Sequence, residues 1–197
     1  MKQKHIDILT RIVESMNQPA PAWVRPWETD AKAYPNTAKT IVPAEMVLDA
    51  YYKRERITFI EKEQNQSFYA PAADTIVLPS KKQFRSTFAY YATKAHETIH
   101  STGEYTRCNR AVFDEFKSFQ FGDSRYSQEE LVAELGACFL LQELEISTSC
   151  AERNAIAYIH HWIDKLSNNP KWIYKAGQLA SEAVEYVMET AGAESWN

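Results

Sequence analysis

Along most of this chain apolar residues recur at the three- and four-residue steps of a helix that buries one face, and breaks in that rhythm mark out its elements. Ile6, Leu9, Val13 and Met16 trace a short amphipathic helix over about residues 5–16. Pro43 opens a second, carrying Met46, Val47, Ala50 and Tyr51, because proline is well tolerated at the first helical position. Between them Pro19, Pro21 and Pro26 interleave with Trp23 and Trp27, a strap too stiff for helix whose tryptophans are expected to anchor it to the domain. The pattern then turns to β-formers. Arg56 to Ile60 reads as one strand, and Ser67–Ala70 and Thr75–Leu78 flank Pro71-Ala72-Ala73-Asp74 as a hairpin.

Helical spacing returns with Phe84, Phe88, Tyr91, Ala95 and Ile99, which predicts one helix from Ser86 to about Ser101, stopped by Gly103. Residues 104–126 are polar and irregular and read as a loop with some helix. Ser127 has the character of an N-cap and Glu130, three residues on, completes a capping-box pattern before Leu131, Leu135, Phe139 and Leu140, so a helix runs to about Glu143. Two packing helices follow, one with Ala155, Ile159, Trp162 and Leu166, ended by Asn168-Asn169-Pro170, the other with Trp172, Ile173, Ala176, Val184 and Val187. The pattern predicts an α+β protein: a small antiparallel sheet or hairpin packed on a mainly helical domain, residues 43–197, preceded by a helix and strap, residues 1–42.

Composition changes this picture little. With 197 residues, 45% of them hydrophobic, one core is expected. A net charge of -4 predicts no bulk attraction to nucleic acid, so any phosphate contact needs a local basic cluster. Cys108, Cys138 and Cys150 lack CxxC spacing, which argues against a disulfide framework or a thiolate zinc site and for free thiols in a reducing cytoplasm. No apolar run approaches the roughly 18 residues of a membrane span and the first residues carry no apolar signal core, so a cytoplasmic protein without a membrane partner is expected. The pattern specifies no oligomeric state.

The chemistry lies in His96-Glu97-Thr98-Ile99-His100. Residues four apart on a helix lie one above the other, so both imidazoles are free to meet one cation, with Glu97 beside it as proton acceptor for an attacking water. A carboxylate is the missing ligand, and Glu130 and Glu134 lie four apart on the next helix, beside its apolar face. Glu130 is preferred as ligand and Glu134 as the acceptor that orients a histidine N–H, with the reverse as alternative and Glu129 expected to face solvent. Tyr126 and Tyr105 are candidate transition-state stabilisers.

With these motifs in hand, residues 68–187 resemble the zincin-like metallopeptidase domain of ArdC-type antirestriction proteins and of the polyvalent proteins of plasmids and phages. The matching residues are Phe68-Tyr69, Asp74 to Pro79, Phe84, Tyr90 to Thr93, His96-Glu97, His100 to Gly103, Arg107, Asn109-Arg110, Tyr126 and Glu129 to Ala137. Several are not needed by zinc chemistry. The resemblance implies a zincin-like fold with His96 and His100 as Zn2+ ligands, Glu97 as catalytic carboxylate and a downstream glutamate completing the site. More weakly, Pro21 to Trp27 is similar to the opening of the family's single-stranded-DNA-binding domain, here severely shortened. The family usually carries leucine and alanine where this chain has Thr98 and Ile99.

The expected function is hydrolysis of a peptide bond in a peptide or protein substrate by metal-activated water, within an antirestriction-type role. The alternative is a non-proteolytic antirestriction protein with a structural or vestigial zinc site, in which Trp23, Arg25, Trp27, Arg107 and Arg110 contact single-stranded DNA by stacking and charge.

Overall fold

A computed structural model describes residues 1–15, 18, 19, 21–23, 25–27, 38–110, 124–162 and 171–192, with backbone alone for 124–127, 161, 162 and 171. In chain order the elements are α1 (Gln3–Ser15), α2 (Val42–Glu55), β1 (Thr58–Lys62), β2 (Phe68–Ala70), β3 (Thr75–Pro79), α3 (Thr87–Ser101), α4 (Ser124–Glu143), α5 (Ser149–Trp162) and α6 (Lys171–Ala191). Residues 163–170, where the sequence predicts the end of the fifth helix, lie outside the described residues, as do 111–123 of the expected loop.

Local chemistry sets the boundaries. Helix α2 has a proline in its first turn and ends in a left-handed Arg56 (φ 60°). The Arg56 and Ile57 amides return to Lys53 O and Tyr52 O there, which satisfies carbonyls the helix leaves open. Ser86 caps α3 by accepting from the Ala89 amide at 3.0 Å. Ser127 does not cap α4, which already begins at Ser124, so Glu130 is free for other work.

The hairpin is present, with β2 antiparallel to β3 (Phe68 opposite Val77, Ala70 opposite Thr75) around a turn closed by left-handed Asp74. The sheet is nevertheless mixed where a purely antiparallel one is expected from sequence, because β1 joins the other side of β3 in parallel, Thr58 opposite Thr75 through Lys62 opposite Pro79. Residues 63–74, β2 included, supply the crossover that parallel pairing needs. Buried Ile76, Val77 and Leu78 make β3 the central strand, and β1 is an exposed edge.

Helix α4 is the hub, packing against α1, α3, α5 and α6. Helix α1 docks Ile8, Leu9 and Ile12 into the same core, and its buried His5 stacks on Phe139 with ring centroids 4.4 Å apart. The strap is pinned at Trp27, which is buried, bridges to Phe84 by backbone pairing and packs its ring 5.7 Å from that of Phe84.

Helix α3 is held from two sides. Toward α2, Tyr52 Oη and Thr98 Oγ1 are 2.6 Å apart, Tyr51 Oη and Ser101 Oγ are 3.1 Å apart, and the fully buried Lys94 pairs with Glu45. Toward α4, Gly136 meets Ile99, and a Cβ on Gly136 would come within 2.8 Å of Ile99 Cγ1 and Cγ2. The absence of that side chain lets the two helices approach closely, and with them the two halves of the candidate site. Gly136→Ala is therefore expected to destabilise the fold by about 1–3 kcal/mol through overpacking. Urea unfolding checks this, and Ile99→Ala is expected to be less costly in the Gly136→Ala background than in wild type, since the two residues share one contact.

Candidate metal centre

One turn apart on α3, the His96 and His100 rings lie with centroids 4.7 Å apart at 80°, and their Nε2 atoms face each other across 3.0 Å. Helix α4 delivers Glu130 to the same point, with Oε2 3.6 Å from His96 Nε2 and Oε1 3.4 Å from His100 Nε2. Among the described residues, these three form a group whose donor atoms lie close enough together to hold a metal ion. Zinc bonds of about 2.0–2.1 Å place tetrahedral donors roughly 3.3 Å apart, so the spacing and the donor types fit a divalent cation bound by two imidazoles and a carboxylate. The centre also reaches solvent: the side chains of His96 and Glu130 each keep 17% exposure.

The surroundings are acidic. Glu97 is 5% exposed, and its charge bears on both His96 and Glu134. Glu134 lies on the far side of His96, Oε1 3.7 Å from Nδ1. Burial pushes Glu134 up to about 7, His96 draws it down, and the neighbouring Glu130 adds to the rise. Burial works against charge on His96 and His100, but the carboxylates overcome it: Glu130 and Glu134 raise His96, while Glu130 and Glu129 lift His100 to about 10. In return both histidines hold Glu130 well below the usual carboxylate range despite its burial. A field that favours protons on two adjacent imidazoles favours any cation between them, and a metal bound there competes with those protons.

Glu129 departs most from expectation. It faces inward, 2% exposed, with Oε1 3.2 Å from His100 Nδ1. Helix α4 extends further toward its N-terminus than the capping pattern suggests, and Glu129 lies on its face toward α3. Arg110 meets it from the turn after α3. Its Nε donates to Glu129 Oε2 at 2.8 Å and its Nη2 to Oε1 at 2.7 Å. Desolvation raises Glu129, but Arg110 and His100 outweigh it and hold the carboxyl low.

Arg110 and Arg107, expected as possible DNA contacts, engage groups of the protein itself. Arg110 is buried on Glu129, Thr102 Oγ1 and Ile99 O, and the Arg107 side chain, 2% exposed, is held by Asp74, Glu55 and Ser101 O. Carboxylates of the protein and open helix-end carbonyls claim the guanidinium groups that phosphate would need. Trp27 is likewise committed to Phe84, whereas Trp23, at 55% exposure, and Arg25 stay on the surface. Tyr105 lies in the turn after α3, 67% exposed. Tyr126 has its backbone in α4, and its side chain lies outside the described residues.

Glu129 and Arg110 are thus functional candidates that reasoning from ligand spacing passed over. The signal that pointed to them was their place among the matched positions that zinc chemistry does not require.

Residues 47–179 match the family model of the zincin-like metallopeptidases. Among curated proteins the chain is similar to the DNA primase TraC of Escherichia coli, at 36% identity over 126 residues, covering 64% of this chain and 11% of that protein. A second Escherichia coli DNA primase TraC is 32% identical over 136 residues, 69% of this chain and 9% of that protein. Among solved structures it is similar to the Mn(II)-bound antirestriction protein ArdC of plasmid R388, with a TM-score of 0.58 and 28% identity over 80% of this chain and 56% of ArdC. The metal-free form of ArdC gives a TM-score of 0.56 at 28% identity, over 82% of this chain and 54% of that one. The chain thus spans about a tenth of the length of TraC and just over half of ArdC. Among the described residues no helix is long and apolar enough to cross a membrane.

Proposed function

The chain belongs to the zincin-like metallopeptidase family, and we propose that it is a zinc-dependent peptidase that hydrolyses a peptide bond in a protein substrate, with His96, His100 and Glu130 as ligands and Glu97 as general base. The observation that carries this reading is the meeting of three donors at 3.0–3.6 Å in a centre that keeps access to solvent, since a structural site would be closed. His96, His100 and Glu130 would hold a divalent cation, which when bound would polarise the scissile carbonyl and acidify the attacking water. Glu97, one residue beyond His96 on α3, takes the proton from that water and returns it to the leaving amine. Glu134 faces Nδ1 of His96 and holds the ring's orientation. Tyr105 is exposed and free to approach a bound substrate, and it is the stabiliser proposed for the developing oxyanion.

Zinc is the metal proposed. The same donor set also takes manganese, the metal of the ArdC structure. The likeness to ArdC supports an antirestriction-type role for the peptidase, and three free cysteines are consistent with a reducing cytoplasm as its place of work. Trp23 and Arg25 are the exposed residues of the strap that offer a surface for single-stranded DNA.

The test is hydrolysis of an unfolded protein such as casein by the purified chain. Cleavage is expected to stop when a chelator removes the metal and to return on adding Zn2+. Cleavage indifferent to the chelator, or none with the site fully loaded, would contradict the peptidase reading.

A further inference from the structure

Neighbouring residues of a helix project about 100° apart, so two adjacent glutamates rarely serve one group. Here they close on opposite edges of a single ring. Glu129 Oε1 lies 3.2 Å from His100 Nδ1, and Glu130 Oε1 lies 3.4 Å from His100 Nε2. The imidazole is therefore gripped at both nitrogens by carboxylates of α4, but those carboxylates are supported differently. Glu130 faces His96 as well as His100, whereas Glu129 sits on a buried arginine that forks across both its oxygens.

Arg110 is aimed at Glu129 by the backbone. The turn after α3 folds back on itself, with Cys108 N on Thr102 O at 2.9 Å and Arg110 N on Gly103 O at 3.0 Å, and Asn109 takes a left-handed φ of 46° just before the arginine. The turn is also tied down by Arg107, which reaches Asp74, Glu55 and Ser101 O. Arg110 thus brings more than anchorage: a bidentate guanidinium presents the buried carboxylate as an acceptor with a fixed orientation. An acceptor so placed at Nδ1 decides which nitrogen of His100 carries the hydrogen.

We propose that Arg110 and Glu129 are positioning residues of the metal centre, a buried ion pair that holds His100 protonated on Nδ1 and so turns its Nε2 lone pair toward the cation. This rests on the reading of His96, His100 and Glu130 as ligands. It assigns the turn at residues 102–110 to the metal site, and it explains why two adjacent glutamates both turn to one histidine.

The experiment compares wild type, Glu129→Gln and the double variant Arg110→Met with Glu129→Met, reading Zn2+ and Mn2+ affinity by chelator competition, the visible absorption of the Co2+ form, and urea unfolding of the metal-free protein. Replacing a buried ion pair by apolar side chains of similar size is often neutral for stability. The double variant is therefore expected to unfold near the wild-type urea midpoint when metal-free, yet to bind Zn2+ about 10- to 100-fold more weakly and to show an altered Co2+ spectrum. Glu129→Gln, which keeps the shape of the side chain, is expected to weaken metal binding by a similar factor, and it carries the test alone if the double variant does not fold. Wild-type metal affinity and Co2+ spectrum in these variants would reduce the pair to a structural bridge and overturn the inference. Metal binding by wild type that His100→Ala leaves unchanged would instead remove the ligand assignment beneath it.

Discussion

Glu97→Gln is expected to retain metal and to lose peptide hydrolysis by about 10²- to 10⁴-fold, the range over which a positioned general base contributes. The amide matches the carboxylate in shape but cannot accept the proton of the attacking water. Glu97 is not among the three residues whose donor atoms meet, so metal affinity has no reason to collapse. It is 5% exposed, lies next to His96 in sequence and is near enough for its charge to act on His96 and Glu134. Paired measurements of bound metal and of peptide cleavage on one preparation check both halves. Cleavage by the variant at the wild-type rate would remove Glu97 from the mechanism, and loss of metal along with activity would make it part of the binding site.

How far the molecule could be read from its sequence depended on the range of the interaction concerned. Helix α3 was legible because its signals are local: an apolar stripe from Phe84 to Ile99, a glycine just past its end at Gly103, and two histidines one turn apart. The hairpin was legible for the same reason, from β-formers on either side of a proline-led turn. The parallel pairing of β1 was not, since strand propensity names a strand and not its neighbour, and β1 joins β3 across an intervening strand. The start of α4 was missed because Ser127 and Glu130 mimic a capping box, while the helix begins earlier and Glu130 turns to the histidines instead.

The hardest residues were Glu129 and Arg110. Taken alone, a charge in a polar stretch reads as solvated. What buries these two is their partnership across 19 positions of chain, together with a histidine that needs an acceptor on its far nitrogen. Thr98 and Ile99 show the converse. Neither is counted among the metal donors, yet Thr98 bonds Tyr52 of α2 and Ile99 fills the space at Gly136 of α4, so these inner positions of the pentad seat the metal helix.

The second large effect concerns the metal itself. His100 supplies one of three converging donors and is the ring gripped from both edges by Glu129 and Glu130. With alanine there, His96 and Glu130 alone remain from the trio, and the loss is expected to exceed the roughly 100-fold upper range for removing an orienting partner. The most direct measurement is the metal content of purified protein by elemental analysis, wild type beside His100→Ala, after equilibration with limiting Zn2+. One zinc per wild-type chain and essentially none in His100→Ala is the expected result, and equal metal in the two proteins would contradict a centre built on His96, His100 and Glu130.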